Sequence, residues 1–383
     1  MKSILHFKKI KAVFLFTLFI LSSFAFSQNN GQGQYLQNQS LQHTSGNRQY
    51  AIYIPVNYNP SEAVPLVLLF HGFTNTITNM YNYAQMEALA DANNFIFAIP
   101  QGLGSPFSGW SIGLSFGGNA DDVGFASSLI DAISTNYSII DKRVYAAGFS
   151  NGGFFSYRLA CELSDKIAAI ASVAGSMNPN WINGSNPTCN PQHQMPIMQI
   201  TGTNDTVIPI NGGNGGTALS NVFNYWTNFN NTNNTPTVTN INNVTERNVY
   251  ENGTNGATVE FIKIGGRGHE WPTTTTAGLQ ENASIRIWEF FSRYDRDGEI
   301  NTLSAATFEK TGISIYPNPA NNAITINTVN FTESISYAIT SMTGQIVLKG
   351  DLTNASQRID ISNLNSSIYV LTIGTNSFKI IKS

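Results

Sequence analysis

This sequence has little charge. Asp, Glu, Lys and Arg make up only 11% of its 383 residues, and the formal net charge is −3. That share is well under half of what soluble domains usually carry. With no basic block, the chain lacks the cationic footprint that phosphate backbones demand, which argues against a nucleic-acid binder. Cysteine is scarcer still: Cys161 and Cys189 are the only two. They have neither the close spacing nor the His company of a metal site, and no metal is expected. In an oxidising compartment such a pair is more often a disulfide than two free thiols. Histidine occurs five times, so any imidazole chemistry has few places to reside.

Apolar material, by contrast, is ample. Hydrophobic residues make up 42% of the chain, with 24 Phe and 15 Tyr, enough for a large buried core. Asn, Thr, Ser and Gly take the place of charge on the surface. The opening residues read as an export signal: Lys2, Lys8, Lys9 and Lys11 precede the apolar run Ala12 to Phe26. That run is short against the roughly 20 residues of a membrane span. Small residues in Ala25-Phe26-Ser27 place the expected cleavage before Gln28. The expected mature protein is secreted or held at the cell surface, with no stable membrane span.

From about Gln34 to Tyr294, short apolar runs alternate with helical periodicity. Strands are expected at Tyr50 to Ile54, Leu66 to Phe70, Phe95 to Ile99, Val144 to Phe149, Ile167 to Val173, Ile197 to Thr201 and Val259 to Ile264. Helices are expected at Met80 to Asn93, Val123 to Thr135, Gly153 to Leu163, Ala218 to Phe229 and Leu279 to Tyr294. The alternation predicts an α/β fold, a mostly parallel sheet with helices on both faces. Ligands in such sheets bind beyond the carboxyl ends of the strands. Charged, aperiodic Asp295 to Thr311 reads as a linker. After it, alternating β-rich runs and no helix period predict a small all-β sandwich over 312–383. That tail has no His and no Cys, which leaves the chemistry to residues 28–294.

The chemistry centres on Gly148-Phe149-Ser150-Asn151-Gly152. It follows an apolar strand and precedes a helix, the context in which a serine is raised on a sharp turn as a nucleophile. The flanking glycines matter because a Cβ there would collide where strand and helix cross. A hydroxyl needs a base. His6 lies in the signal, His43 and His193 lie in polar loops, and His71 abuts a strand end, where it reads as structural. That leaves His269, in a Gly-rich loop before the last helix. The base needs an acid to fix its tautomer, and Asp205, after the strand ending at Thr201, supplies the chain order Ser, Asp, His. An oxyanion hole is expected from the main-chain N–H of Asn151 and of Phe73, the latter in the loop after the early strand ending at Phe70.

At these residues the sequence resembles a known family. Leu69-Phe70-His71-Gly72, Ile99-Pro100-Gln101-Gly102, Asp122-Val123-Gly124-Phe125, Gly148-Phe149-Ser150-Asn151-Gly152-Gly153, Gly202-Thr203-Asn204-Asp205 and Gly268-His269-Glu270-Trp271-Pro272 look like the blocks of secreted poly(3-hydroxybutyrate) depolymerase-like esterases. These in turn are similar to feruloyl and acetylxylan esterases. The resemblance runs from about residue 45 to 294. It implies an α/β-hydrolase fold, Ser150, Asp205 and His269 as the triad, and Trp110 and Trp271 as substrate-cleft residues. The family often has Cys where this chain has Phe73. A second resemblance lies in the tail. Ile315-Tyr316-Pro317-Asn318-Pro319-Ala320, Gly344-Gln345-Ile346-Val347, Ile359-Asp360-Ile361-Ser362-Asn363-Leu364 and Ile368-Tyr369-Val370-Leu371 look like the sorting domain of the type IX secretion system. Ser367 stands where that family usually has Gly. This implies a Bacteroidetes-type bacterium, delivery across the outer membrane by that machinery, and removal of the tail.

Together these readings predict a secreted ester hydrolase that needs no cofactor. Its substrate would be a polyester, a plant cell-wall ester or a small ester. A serine peptidase of the same fold, or a carbohydrate-binding protein with an inactive hydrolase fold, are the rival readings.

Overall fold

The protein, described here from a computed structural model, is defined over residues 33–104, 107–114, 118–182, 189–273 and 282–300. In the tail it is defined over 313–316, 318, 320–328, 334–341, 344–374 and 376–382. The expected signal segment 1–27, and residues 301–311 of the expected linker, lie outside the described residues.

The elements of the first part run β1 Gln34–His43, β2 Gly46–Ile54, β3 Val64–Phe70, α1 Ile77–Ala84, α2 Glu87–Asn93, β4 Ile96–Pro100, α3 Asp122–Asn136, β5 Ile139–Phe149 and α4 Asn151–Glu162. They continue with β6 Ala169–Val173, α5 Pro179–Ile182, β7 Ile197–Gly202, α6 Leu219–Asn230, β8 Thr237–Asn240, β9 Thr245–Tyr250, β10 Val259–Ile264 and α7 Ala283–Phe291. Ten strands form one sheet in the order β1-β2-β4-β3-β5-β6-β7-β10-β9-β8. The six from β4 to β10 are parallel, and antiparallel strands close both edges.

This arrangement follows from the residues. Every position of β3, β4, β6 and β7 is buried, as a parallel strand covered on both faces requires. Side chains alternate between the faces. Leu66, Leu68 and Phe70 pack with Phe125, Phe154 and Val222 of α3, α4 and α6. Val67 and Leu69 pack with Met80, Ala90 and Ile287 of α1, α2 and α7. Each such buried side chain contributes roughly 1.5–3 kcal/mol.

Three local expectations need correction. The single helix expected over Met80 to Asn93 is two. A capping box at Thr76 starts α1 early, and Gln85, left-handed at φ 46°, ends it. The edge strands β1, β8 and β9 were not expected. All four residues of β8 are exposed, so no apolar alternation announces it, and pairing with β9 alone defines it. The linker, too, begins later than Asp295. Tyr294–Asp295 (β11) pairs with Gly298–Glu299 (β12). That hairpin is held to the body by Tyr145 donating to the Tyr294 carbonyl (2.6 Å), by Lys142–Asp297 (2.5 Å) and by Arg296–Asp141 (3.1 Å). The charges that read as solvated have partners.

In the tail, β13 Ile313–Tyr316, β14 Ala323–Thr328 and β17 Ser356–Asp360 form one antiparallel sheet. A second comprises β15 Ile335–Ser341, β16 Ile346–Leu352, β18 Ser367–Ile373 and β19 Asn376–Lys382. Strand β14 alternates half-buried and buried residues. Its Ile324 and Ile326 share one core with Ile339, Leu371 and Ile373 of the other sheet, which makes the tail a two-sheet sandwich.

Cys161 of α4 and Cys189 are joined in a disulfide across a sequence separation of 28. In the loop-entropy account a ring of this size stabilises by about 3–4 kcal/mol at most. Urea unfolding of the Cys161→Ser/Cys189→Ser double variant should show a lowered midpoint, with a slope equal to or steeper than that of the wild type because the unfolded chain is freed of its cross-link. Equal midpoints would mean that the native packing around α4 makes the bond redundant.

Candidate active site

Strand β5 and helix α4 cross with no room for side chains. A Cβ on Gly148 would lie 2.1 Å from the Gly152 carbonyl oxygen, and one on Gly152 would lie 2.1 Å from that of Phe70. Between these glycines Ser150 is forced to φ 54°, ψ −115°, a conformation costing of order 1–3 kcal/mol for a residue with a side chain. Its N–H donates to the Val173 carbonyl (2.8 Å), and its own carbonyl accepts from Phe154 N–H (3.1 Å). The strain therefore persists because the crossing over-determines the turn.

Two further loops rise beyond the carboxyl ends of β7 and β10. Asp205 is 4% exposed. Its Oδ1 accepts from the N–H groups of Val207 (2.9 Å) and Ile208 (2.8 Å), while Oδ2 lies 2.8 Å from His269 Nδ1. That pairing assigns the proton to Nδ1 and leaves Nε2 as the basic nitrogen. The two loops are joined along their backbones. Thr203 N–H donates to Ile264, Asn204 N–H to Arg267 and Gly266 N–H to the Thr203 hydroxyl, all at 2.8–2.9 Å. A Cβ on Gly202 would stand 2.2 Å from the Arg267 carbonyl oxygen, so only glycine permits this approach. Arg267 grips Glu270 with two nitrogens, at 2.5 and 3.1 Å.

Ser150 and His269 open onto one cleft of about 490 Å³. Gly72 and Phe73 wall it from the loop after β3, Phe149 from β5, Glu270 and Trp271 from the His269 loop, and Tyr83 from α1. Among the described residues no cluster of His, Cys, Asp or Glu has the makings of a metal site. A smaller cavity near the start of β10 surrounds Glu260. Burial pushes that carboxyl up, but Arg293 and Arg247 outweigh burial and hold it below its usual range.

The candidate residues separate into groups. Ser150, Asp205 and His269 are brought together, with Phe73 and Trp271 in the cleft wall. Asn151 begins α4, where the helix dipole favours negative charge, and its side chain is buried. Trp110 is not a cleft residue. It is fully buried, stacked on Phe155 and set edge-on to Phe70, because the loop after β4 folds inward over α4. The sequence reading missed Phe149, Tyr83 and Glu270. Phe149 and Glu270 lie inside the motifs that marked the site, whereas nothing local distinguishes Tyr83.

His71 is structural. Its Nδ1–H donates to the Gly72 carbonyl (2.7 Å), and Nε2 accepts from Gly102 N–H (2.9 Å) and the Gln101 amide (2.9 Å). Burial pushes its pKa from 6.5 down to about 4, against the Gly72 bond, which favours the charged form. As pH falls, the unfolded chain takes up this proton first. The stability tied to neutral His71 is therefore complete above pH 6.5 and lost as pH falls through about 4. The full loss is about 3 kcal/mol. Urea midpoints from pH 7 to pH 4 should fall more steeply for the wild type than for His71→Gln. Parallel curves would refute the assignment.

Comparison with known proteins agrees with this architecture. The Esterase family model matches residues 42–204, and that of the secretion system C-terminal sorting domain matches 314–383. The chain is 30% identical over 256 residues to a bifunctional acetylxylan esterase/xylanase of Neocallimastix patriciarum, covering 66% of this chain and 34% of that protein. It is 31% identical over 167 residues to feruloyl esterase B of Piromyces equi, covering 43% and 31% respectively. With feruloyl esterase D of Neurospora crassa it shares 25% identity over 285 residues, 70% of this chain and 91% of that one. The chain thus spans about a third of the length of the first two relatives. An acetyl xylan esterase from Aspergillus awamori shares the fold, with a TM-score of 0.50 at 15% identity over 66% of this chain and 98% of that one. Residues 42–204 thus match the esterase family within an α/β-hydrolase fold similar to feruloyl and acetylxylan esterases, and residues 314–383 match a type IX secretion sorting domain, which indicates a secreted or cell-surface protein.

Proposed function

We propose that the protein is an exported carboxylic ester hydrolase working through an acyl-enzyme, with Ser150 as nucleophile, His269 as base and Asp205 as orienting acid. The observation that carries this reading is the strained Ser150 turn opening on the same cleft as His269, whose Nδ1 is 2.8 Å from buried Asp205. Ser150 Oγ attacks the ester carbonyl carbon and its proton passes to His269 Nε2. The carbonyl oxygen becomes an oxyanion facing the main-chain N–H groups of Phe73 and Asn151. As the carbonyl re-forms, the bond to the alcohol oxygen breaks and Nε2 returns the proton to that oxygen. Water, deprotonated by the same imidazole, then attacks the acyl carbon; the bond to Ser150 Oγ breaks, Nε2 returns the proton to Oγ, and the acid is released. Asp205 orients the imidazole through its bond to Nδ1 and stabilises the imidazolium when it forms.

The wall of the cleft supports a choice of ester. Phe73, Tyr83, Phe149 and Trp271 offer flat apolar surface that suits an aromatic acyl group better than acetyl or a hydroxyalkanoate chain. Relatives named feruloyl esterases point the same way, to plant cell-wall esters. Delivery would run through the type IX machinery, recognised by the tail sandwich.

Ser150→Ala should lower ester hydrolysis by about 10⁴-fold or more, with Asp205→Asn severe but less complete. Near wild-type rates from purified Ser150→Ala would end the mechanism. A panel of feruloyl, acetyl and 3-hydroxybutyrate esters beside matching amides should give the highest kcat/KM for the feruloyl ester. Preference for the amides would make the protein a peptidase.

A chain ending near Thr311 should keep its turnover but fail to reach the medium in a host with the type IX pathway. Lost turnover in folded, truncated protein would place the tail in the active-site wall.

A further inference from the structure

Trp110 joins the two segments from which the proposed oxyanion donors come. Its indole N–H donates to the main-chain carbonyl of His71 (2.9 Å), at the start of the loop that carries Phe73. Its own main-chain N–H donates to Asn151 Oδ1 (2.7 Å), and its carbonyl accepts from Asn151 Nδ2 (3.3 Å). Asn151 is thus bonded through both amide atoms to a single residue, and that residue is bonded through its side chain to the other arm. A buried Trp needs one partner for its N–H. Packing alone does not require that this partner be the carbonyl beside Gly72, nor that an amide at the first position of α4 grip the same Trp on both sides.

We propose that Trp110 and the Asn151 side chain form a clasp that fixes the spacing between the main-chain N–H groups of Phe73 and Asn151. They are positioning residues for oxyanion stabilisation. The inference rests on the hydrolase reading above. The clasp acts where charge develops. An oxyanion forms only in the transition state, so loosening the clasp raises the barrier without weakening substrate binding. Displacing such groups by even an ångström costs about 100-fold in rate.

The test is Trp110→Phe, which keeps a ring in the stack with Phe155, removes the donor to His71 and leaves a small void where the rest of the indole stood. Asn151→Ala is the second variant, removing the amide grip while keeping the main-chain N–H. In either variant that folds, kcat should fall about 10- to 100-fold, with KM for the ester within about twofold of wild type. Affinity for an arylboronic acid, whose serine adduct places an oxygen in the hole, should fall in parallel with kcat, while affinity for the carboxylic acid product should hold. Unchanged kcat would overturn the clasp, as would equal losses in boronate and product affinity. Failure of both variants to fold would overturn it too, by making the pair a requirement of the core. Ser150→Ala in the same panel separates the two ideas. Hydrolysis surviving that change removes the Ser150 mechanism, and the clasp with it, whatever the Trp110 variant does.

Discussion

The site depends on one steric constraint, the contact crossing of β5 and α4. Backbone meets backbone there at Gly148 and Gly152, and Ser150 must take a left-handed turn to connect them. Every other element of the site is arranged around the place where that turn projects. The loops after β7 and β10 lie on the same side of Ser150, because parallel strands end on the same edge of the sheet. Gly202 then lets those loops touch along their backbones. A sheet with these strands antiparallel would have sent alternate loops to opposite edges, and Asp205 could not have met His269.

Much of this was legible because the chemistry imposes local patterns. A strained turn between a strand and a helix needs small residues at fixed offsets, so Gly148 and Gly152 announced the turn at Ser150 that the proposed mechanism uses. With five histidines in the chain, elimination left His269, and chain order supplied Asp205. The parallel strands were legible as well, since burial on both faces leaves continuous apolar runs such as that ending at Phe70. What could not be read was decided by contacts distant in sequence. Edge strand β8 has no apolar face. Asp297 is exposed, and its pairing with Lys142 is invisible locally because the two lie far apart in sequence. The placement of Trp110 is the instructive case. Resemblance assigned it a role at the surface of the cleft, and the inward fold of its loop buries it instead. Motif position says that a residue lies near a site, not on which side of the wall it stands.

Low charge makes the few interior charges informative. Arg48 and Asp122 are fully buried and 2.7 Å apart. Asp122 Oδ2 also accepts from Ser111 N–H (2.7 Å), and Arg48 donates to the Gln101 carbonyl (3.2 Å) and covers the Phe125 ring at 4.0 Å. Burial raises the Asp122 pKa against these favourable contacts, so the pair forms at a desolvation cost that an apolar substitute would avoid. Removing one partner alone would leave the other charge buried and unpaired, at about 3–5 kcal/mol. Stability is therefore a poor account of why the pair is there. Its bonds reach Gln101 and Ser111, at the two ends of the segment that contains Trp110, while His71 holds Gly102 from the other side. The ion pair anchors the inward loop at both ends. An apolar pair of equal volume would fill the space and leave those main-chain groups without the partners that set the loop's path. Seen this way, the buried charges act on the chemistry indirectly. They hold a loop, the loop holds Trp110, and Trp110 bonds to His71 and Asn151, in the two segments proposed to supply the oxyanion donors.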